Sequence, residues 1–254
     1  MRDGADLKLI RDLLTVLLLA AALPSLAQDH ARERRWAEEV VPGLVVGDAV
    51  WLEGQGGHKF LGLHTEHGGA RASVLVVHGI GVHPDHGVIG ALRTALADAG
   101  YNTLSIQMPV LGADATPKEY AAVYPDAVAR IRAAAAWLSA KRAGPLVLVS
   151  HSMGSAMSSA YYEQTPGAPF SAWVCMGLSG PFKSLRNVRV PLMDVFGESD
   201  LPSVLRADWR RRLSVDSIPG SRQVRIAGAD HFYAGREKQL LAAIDIFIRE
   251  QVLK

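Results

Sequence analysis

The sequence predicts an α/β fold in which a mainly parallel central sheet is covered by helices on both faces. From Ser73 onward, short apolar runs of strand length alternate with longer segments that carry apolar residues at helical spacing. Such alternation favours a parallel sheet, because each crossover helix returns the chain to begin the next strand in the same direction. Upstream, residues 44–52 and 59–65 are predicted strands separated by a glycine-rich turn, which predicts antiparallel pairing at the leading edge.

The remaining elements are predicted from apolar runs and from apolar faces. The predicted strands of the parallel part are 73–79, 101–108, 146–149, 170–177, 190–196 and 223–227. The predicted helices are 88–99, a long helix with Val128, Ile131, Ala135 and Leu138 on one face, 155–164, 204–213, and a last helix with Leu241, Ile244, Ile248 and Val252 in register. Within 204–213, the run Arg210-Arg-Arg212 is interpreted as a solvated edge.

Composition limits the classes of function. The chain has 254 residues, of which 49% are hydrophobic and 20% charged, which suits one well-cored globular domain. A net charge of +2 indicates no nucleic-acid surface. Cys175 is the only cysteine, so an intrachain disulfide and a cysteine-built metal site are excluded.

The N-terminus has the pattern of a secretory signal. Basic residues precede an apolar run over 13–23, and a small-residue cleavage pattern ends at Ala27. The run is about half the roughly 20 residues that a membrane-spanning helix needs. We expect a signal peptide over 1–27 and a single domain over 28–254, periplasmic or secreted from a bacterium and without a stable membrane anchor. A retained anchor is the alternative.

The stretch 146–164 is predicted to carry a nucleophile. A buried strand runs into Ser150-His-Ser-Met-Gly154, and a helix follows. This is the G-x-S-x-G pattern with its first glycine replaced by Ser150, and it indicates a sharp strand-to-helix turn that exposes the hydroxyl of Ser152. The alternative is an ordinary packing turn of small residues.

Partners for a serine nucleophile are expected where later strands end, because the carboxyl ends of parallel strands meet at one edge of the sheet. Asp200 follows the strand 190–196, and His231 follows the last strand. They are predicted to be the orienting acid and the general base. Glu198 is the reserve acid. The alternatives are a helix N-cap for Asp200 and a loop histidine satisfied by the backbone for His231.

The loop His78-Gly79-Ile80-Gly81 follows the first parallel strand and is predicted to complete the site. Acyl transfer builds negative charge on a carbonyl oxygen, which needs preorganised donors. The backbone amides of Ile80 and Met153 are the predicted oxyanion hole. Gly79 and Gly81 would let the backbone approach the substrate closely.

In these landmarks residues 73–254 resemble the α/β-hydrolase superfamily. The resemblance is carried by His78-Gly79 and by the segments 150–154, 197–200 and 228–231, in that order. The stretches 45–53, 77–85 and 104–109 look like an exported bacterial branch that is catalogued as a family of unknown function. The resemblance implies the α/β-hydrolase fold and a catalytic triad of Ser152, Asp200 and His231, but no substrate. Ser150 departs from the superfamily's usual glycine.

Two further expectations concern the mouth of the site. His83-Pro-Asp-His86 could bind zinc, but we prefer a loop at the pocket rim, and we expect neither a metal nor another cofactor. The 12 residues of 178–189 are too few for a helical lid. We therefore expect an open site without a substantial lid, with the substrate contacted by His83, His86, Met108 and Phe232.

The resulting hypothesis is an exported serine hydrolase that cleaves a small carboxylic ester with a short or accessible acyl group. A catalytically inactive binding protein on a hydrolase scaffold and a metal-dependent hydrolase are the alternatives. The number of subunits is left open.

Overall fold

The structure, a computed structural model, describes residues 28–141 and 144–253; the predicted signal segment lies outside them. The strands are β1 (Asp48–Glu53), β2 (Lys59–Thr65), β3 (Ser73–Val77), β4 (Asn102–Ile106), β5 (Leu146–His151), β6 (Phe170–Met176), β7 (Leu192–Ser199) and β8 (Arg222–Asp230). The α-helices are α1 (His30–Val40), α2 (Gly87–Asp98), α3 (Tyr124–Ala140), α4 (Met153–Gln164), α5 (Pro202–Leu205), α6 (Asp208–Asp216) and α7 (Glu237–Gln251).

The strands form one eight-stranded sheet in the order β1-β2-β4-β3-β5-β6-β7-β8. β2 pairs antiparallel with both β1 and β4, and the other pairings are parallel. The predicted α/β fold with an antiparallel leading pair is thus confirmed. β1 has the same orientation as β4, so β2 is the one strand of this sheet that is antiparallel to the others.

Helices cover both faces of the sheet, and the alternation of side chains along the central strands divides the core into two layers. In β3, Leu75 and Val77 point to the layer that contains α3 and α4. Val74 and Val76 point to the opposite layer, which contains α2 and α7. All five residues of β3 are buried, as expected of a strand covered on both faces.

The helix α1 fastens the N-terminal part of the chain to the loops that follow β3 and β4. Asp29 caps the helix by accepting a hydrogen bond from the Arg32 amide at 2.8 Å. The Arg32 guanidinium donates to the carbonyl of Leu111 at 3.0 Å and to that of Gly81 at 3.2 Å. One side chain therefore holds two loops at the carboxyl edge of the sheet.

No lid covers that edge after β6. Residues 177–191, which connect β6 to β7, contain neither a helix nor a strand. The expectation of a fold without a substantial lid is confirmed. Within the described parts of the chain, every helix is too short or too polar to cross a membrane.

The interpretation of Arg210-Arg-Arg212 as a solvated edge is wrong for its middle residue. The side chains of Arg211 and Asp194 are both fully buried, and Nε of Arg211 lies 2.9 Å from Oδ2 of Asp194. The guanidinium also donates to the carbonyls of Leu178 and Gly180. Arg211 thereby ties α6 to β7 and to the connection that leaves β6.

We predict that Arg211→Met destabilises the protein by about 3–5 kcal/mol, because it leaves the Asp194 carboxylate buried without its charge partner. Urea unfolding measures the change. The control is Arg212→Met, since the ion pair of Arg212 with Asp216 joins two exposed side chains 3.7 Å apart and should be worth less than about 1 kcal/mol. Equal effects of the two substitutions would contradict the assignment.

Candidate active site

Ser152 occupies a strained turn between β5 and α4. Its backbone has φ 56° and ψ −122°, a conformation that residues with a side chain rarely adopt. The Ser152 amide donates to the carbonyl of Met176 at 2.8 Å, which ties the turn to the end of β6. Gly154 has no room for a side chain, because a Cβ there would lie 2.3 Å from the carbonyl oxygen of His78. The packing explains why a glycine follows two residues after the serine.

Ser150, which replaces the first glycine of the pattern, is fully buried and hydrogen-bonded. Its hydroxyl oxygen accepts a hydrogen bond from the indole nitrogen of Trp173 at 2.9 Å. Trp173 lies on the neighbouring strand β6 and is itself fully buried. The extra hydroxyl therefore has a partner within the core, and the turn keeps its geometry without the glycine. Sequence reasoning gave no sign of this pairing.

The structure brings Ser152, His231 and Asp200 together. Nε2 of His231 lies 2.9 Å from Oγ of Ser152, and Nδ1 of His231 lies 2.6 Å from Oδ1 of Asp200. The Asp200 carboxylate also accepts hydrogen bonds from the amides of Gly197 and Leu201. Burial by itself would raise the pKa of Asp200, but the hydrogen bonds from His231 and the two amides outweigh it and hold the pKa below its ordinary value. The carboxylate is thus ionised where it faces the imidazole.

Gly177 is a site residue that sequence reasoning missed. It follows β6 with φ 58°, and a Cβ at this position would lie 3.0 Å from Cε1 of His231. The missing side chain leaves space for the imidazole between Ser152 and Asp200. The only sequence signal was a glycine directly after a predicted strand, which is too common to identify a site.

The loop after β3 passes close to Ser152 and carries the Ile80 amide, while the Met153 amide begins α4 directly after the serine. Gly79 approaches so closely that a Cβ there would lie 3.1 Å from Cβ of Ser152. Within the described chain, neither the amide of Ile80 nor that of Met153 donates a hydrogen bond to a protein group. Both are free to serve the predicted role of stabilising an oxyanion.

His78 is buried behind this loop and fixes its backbone. Its Nε2 accepts a hydrogen bond from the Met108 amide at 2.9 Å, so Nδ1 carries the proton and donates to the Gly79 carbonyl at 2.8 Å. Burial lowers the pKa of His78 to about 3, which keeps the ring neutral. Holding the Gly79 carbonyl orients the peptide unit whose N–H belongs to Ile80.

A second buried histidine supports the base. Nε2 of His151 lies 2.9 Å from the carbonyl oxygen of His231, and the two rings lie 4.8 Å apart. Burial, followed by the neighbouring His231, lowers the pKa of His151 to about 4. A neutral His151 can donate to this carbonyl and so hold the loop that carries His231.

An open cavity of about 530 Å³ extends from Ser152 toward the first turns of α2 and α7. Its lining consists of Gly79, Ile80, Val82, His86, Gly87, Val88, Ile89, His151, Ser152, Leu201, His231, Phe232, Ala234 and Glu237. Most of these side chains are apolar. Of the polar ones, His151 and His231 adjoin Ser152, whereas His86 and Glu237 lie at the starts of α2 and α7. Such a wall suits an apolar group attached to a reacting carbonyl.

Of the residues expected to contact substrate, Gly79, His86 and Phe232 line the cavity. The expectation is corrected for Met108, which is 1% exposed and packs in the core on the α3 and α4 side of the sheet. Gly81 also lies outside the lining, and its carbonyl is taken by Arg32.

His83 is the third correction. Its ring packs against Trp36 of α1, with ring centroids 5.9 Å apart, and it does not line the cavity. Asp85, considered with it as a zinc ligand, is bonded to Arg93 at 2.6 Å. The reserve acid Glu198 accepts a hydrogen bond from the Gly228 amide rather than from His231.

The buried histidines predict a pH-dependent stability. Below their ordinary pKa of 6.5, the unfolded chain binds a proton at His78 and at His151 that the folded chain does not bind. Stability should therefore fall as the pH is lowered from 6.5 to 4, by up to about 1.4 kcal/mol per pH unit for each histidine. The amide of the variant His151→Gln can still donate to the His231 carbonyl but does not titrate. In this variant the slope of the unfolding free energy against pH, measured by urea unfolding, should lose the contribution of His151.

The control for this slope is His67→Gln on an exposed turn, which should keep the slope of the wild type. An unchanged slope in His151→Gln would show that His151 is not held neutral by burial.

Comparison with known proteins agrees with this architecture. Residues 74–246 match a model described as the alpha/beta hydrolase family, and residues 13–130 match one described as a protein of unknown function (DUF3530). No curated protein sequence is significantly similar to the chain.

Three solved structures illustrate the fold. Est1E from Butyrivibrio proteoclasticus is 15% identical with a TM-score of 0.62, over 81% of this chain and 99% of its own. An α/β serine hydrolase without a lid, from Xanthomonas campestris, is 17% identical with a TM-score of 0.62, over 82% and 96%. A cold-adapted esterase from an Arctic intertidal metagenomic library is 16% identical with a TM-score of 0.63, over 80% and 93%. With a family model matching more than half of its length, the chain belongs to the α/β-hydrolase family.

Proposed function

We propose that this chain is a serine hydrolase that cleaves carboxylic esters through an acyl-enzyme, with Ser152, His231 and Asp200 as its catalytic triad. The observation that carries the proposal is the continuous relay from Oγ of Ser152 to His231 at 2.9 Å and on to Asp200 at 2.6 Å. A serine hydroxyl is a weak nucleophile until a base removes its proton, and this relay supplies both the base and its orienting acid.

The proposed reaction has two halves. Ser152 Oγ attacks the ester carbonyl while His231 Nε2 takes the hydroxyl proton, and the oxyanion is stabilised by the amides of Ile80 and Met153. The carbon–oxygen bond to the alcohol then breaks, and His231 returns the proton to the leaving alcohol. In the second half a water molecule, deprotonated by His231, attacks the acyl carbon; the bond from that carbon to Oγ of Ser152 then breaks, the carboxylic acid leaves, and His231 returns the proton to Oγ of Ser152. Asp200 holds the imidazole and stabilises its charged form.

The apolar lining of the cavity favours uncharged esters over highly charged acyl compounds. The open shape of the site favours short or medium acyl groups over long ones. Val88, Ile89 and Leu201 contribute to the apolar wall, and the connection 177–191 between β6 and β7 holds no helix or strand that could close over the opening. The relatives named as esterases and as a serine hydrolase without a lid are compatible with this proposal. It requires neither a metal nor a cofactor, and its expected partner is a small ester rather than a nucleic acid.

Export remains part of the proposal and rests on the sequence of residues 1–27 alone. A periplasmic or secreted enzyme would not meet the coenzyme A thioesters of the cytoplasm, so simple esters are the better class to test. N-terminal sequencing of the exported protein tests the expected start at Gln28.

We expect Ser152→Ala to abolish ester hydrolysis and labelling by a fluorophosphonate probe, with a loss of several orders of magnitude in kcat/KM. The reason is that no acyl-enzyme can form without the hydroxyl. The control is Ser179→Ala, an exposed serine outside the cavity, which should keep both signals. Circular dichroism verifies folding.

The same experiment separates the alternatives. If the wild-type chain neither reacts with the probe nor hydrolyses any p-nitrophenyl ester, it would be a binding protein on this fold. Hydrolysis that persists in Ser152→Ala would contradict the serine mechanism and favour a metal-dependent one.

The cavity also predicts the dependence on acyl length. In a series of p-nitrophenyl esters, kcat/KM should rise while added methylenes contact the apolar wall, by up to about fourfold each at ~0.8 kcal/mol, and level off by octanoyl. Phe232 lines the cavity although it is 60% exposed, so Phe232→Ala should flatten the rise. Trp209→Ala removes a similarly exposed ring outside the cavity and is the control. A specificity constant that keeps rising beyond octanoyl, or activation at an oil–water interface, would contradict the open site.

A further inference from the structure

We propose that the protein binds one divalent transition-metal ion of the zinc class through His30, Glu33 and His58, at a structural site apart from Ser152. None of the three residues lines the cavity of the proposed active site. The site therefore adds a ligand to the protein without taking part in the proposed ester hydrolysis.

The three side chains come from two elements that meet at the leading edge of the sheet. His30 and Glu33 lie three residues apart on the first turns of α1, and so on one face of the helix. His58 follows the short 3₁₀ turn Gln55–Gly57 between β1 and β2. An ion bound by all three would fasten α1 to the turn of the leading strand pair.

The distances suit a shared ion. Nε2 of His58 lies 3.3 Å and Nδ1 of His30 lies 3.9 Å from the same oxygen of Glu33. All the ligand atoms lie within 4.8 Å of one another. Bonds of about 2.0–2.1 Å in a tetrahedral site separate the ligand atoms by roughly 3.3–3.4 Å. Two imidazoles and one carboxylate are a ligand set that zinc uses, with a fourth position left for water.

The void between the three residues has room for an ion or a water, and one buried nitrogen beside it lacks a hydrogen-bond partner. A void of about 20 Å³ is lined by all three residues, which is room for one water-sized particle. Among the described residues, Nδ1 of His30 is buried and has no hydrogen-bond partner. A buried polar atom without a partner is costly, and an ion or a water in this void would supply the partner.

Metal coordination would change how the two imidazole rings pack against each other. The two rings stack with their centroids 3.7 Å apart. Coordination would splay them until both nitrogens point at one centre.

One neighbour opposes a cation and limits the affinity. The Arg130 guanidinium lies 3.1 Å from both oxygens of Glu33. Nε of Arg130 is bonded in turn to Asp126 at 3.0 Å, so the two carboxylates and the guanidinium together carry one negative charge. Oε1 of Glu33 also accepts a hydrogen bond from the Gln28 side-chain amide at 2.6 Å, so Oε2, the oxygen that faces both histidines, is the one left for the ion. We expect micromolar rather than nanomolar binding.

The test is equilibrium dialysis of the full chain, without a polyhistidine tag and stripped by EDTA, against Zn²⁺, followed by metal analysis. We expect one zinc per chain in the wild type and at least a tenfold weaker affinity in His30→Ala and in His58→Ala. The two variants change different elements, so one folding defect cannot explain both results. The melting temperature should rise with Zn²⁺ in the wild type and stay constant in the variants.

The matched control is the double variant His83→Ala/His86→Ala, because these two rings also lie close together, with centroids 5.4 Å apart, and neither belongs to the proposed site. It should bind zinc as the wild type does. Absence of bound zinc from the wild type would mean that the void holds only water, and would overturn the proposal. Unchanged binding by His30→Ala and His58→Ala, or its loss in the double variant, would overturn it as well.

Discussion

The strained backbone of Ser152 decides where the hydroxyl of the candidate nucleophile points. A side-chain-bearing residue held at φ 56° costs of order 1–3 kcal/mol. That conformation persists because the turn is fixed from several sides. The Ser152 amide is bonded to the end of β6, Gly154 packs against the loop after β3, and Ser150 is bonded to Trp173. Three contacts with two neighbouring segments, β6 and the loop after β3, therefore determine where one hydroxyl points.

A second theme is the number of buried polar groups that hold loops rather than contact a substrate. His78 holds the peptide between Gly79 and Ile80, His151 holds the carbonyl of His231, and Arg211 holds the start of the connection after β6. Each is buried with its hydrogen bonds largely satisfied, which is the condition under which such groups are tolerated in a core. The irregular loops at the carboxyl edge thus gain fixed positions that apolar packing alone would not give them.

The N-terminal helix extends this support beyond the segment that the hydrolase family model matches. That match begins at residue 74, whereas α1 contributes Arg32 to the loop after β3 and Glu33 to a buried pair with Arg130. Arg130 in turn donates to the carbonyl of Gln107, whose side chain lies 3.1 Å from His78. A continuous chain of hydrogen bonds therefore runs from α1 to the histidine behind the proposed oxyanion hole. The α/β-hydrolase fold positions the candidate site, and α1 stabilises the loops around it.

The fold class, and the edge of the sheet at which the candidate site lies, could be predicted from the amino-acid sequence. Apolar runs and apolar faces follow from the period of each element, and the carboxyl ends of parallel strands must meet at one edge. Ser152, Asp200 and His231 were therefore placed near each other without knowledge of distances. Tertiary structure alone decided which way side chains point in irregular segments. Met108 turned into the core and Phe232 toward the cavity, because loop side chains have no period to follow and take the direction that packing gives them.

Packing between elements also explains why one arginine is buried among exposed neighbours and why two histidines distant in sequence are in contact. Arg211 is buried between two exposed arginines because Asp194, 17 residues earlier on β7, lies opposite its face of α6. His30 and His58 stack because α1 docks beside the turn between β1 and β2. Periodicity fixes a residue's position within its own element, but a partner on another element fixes its role, and that pairing exists only after the elements have packed.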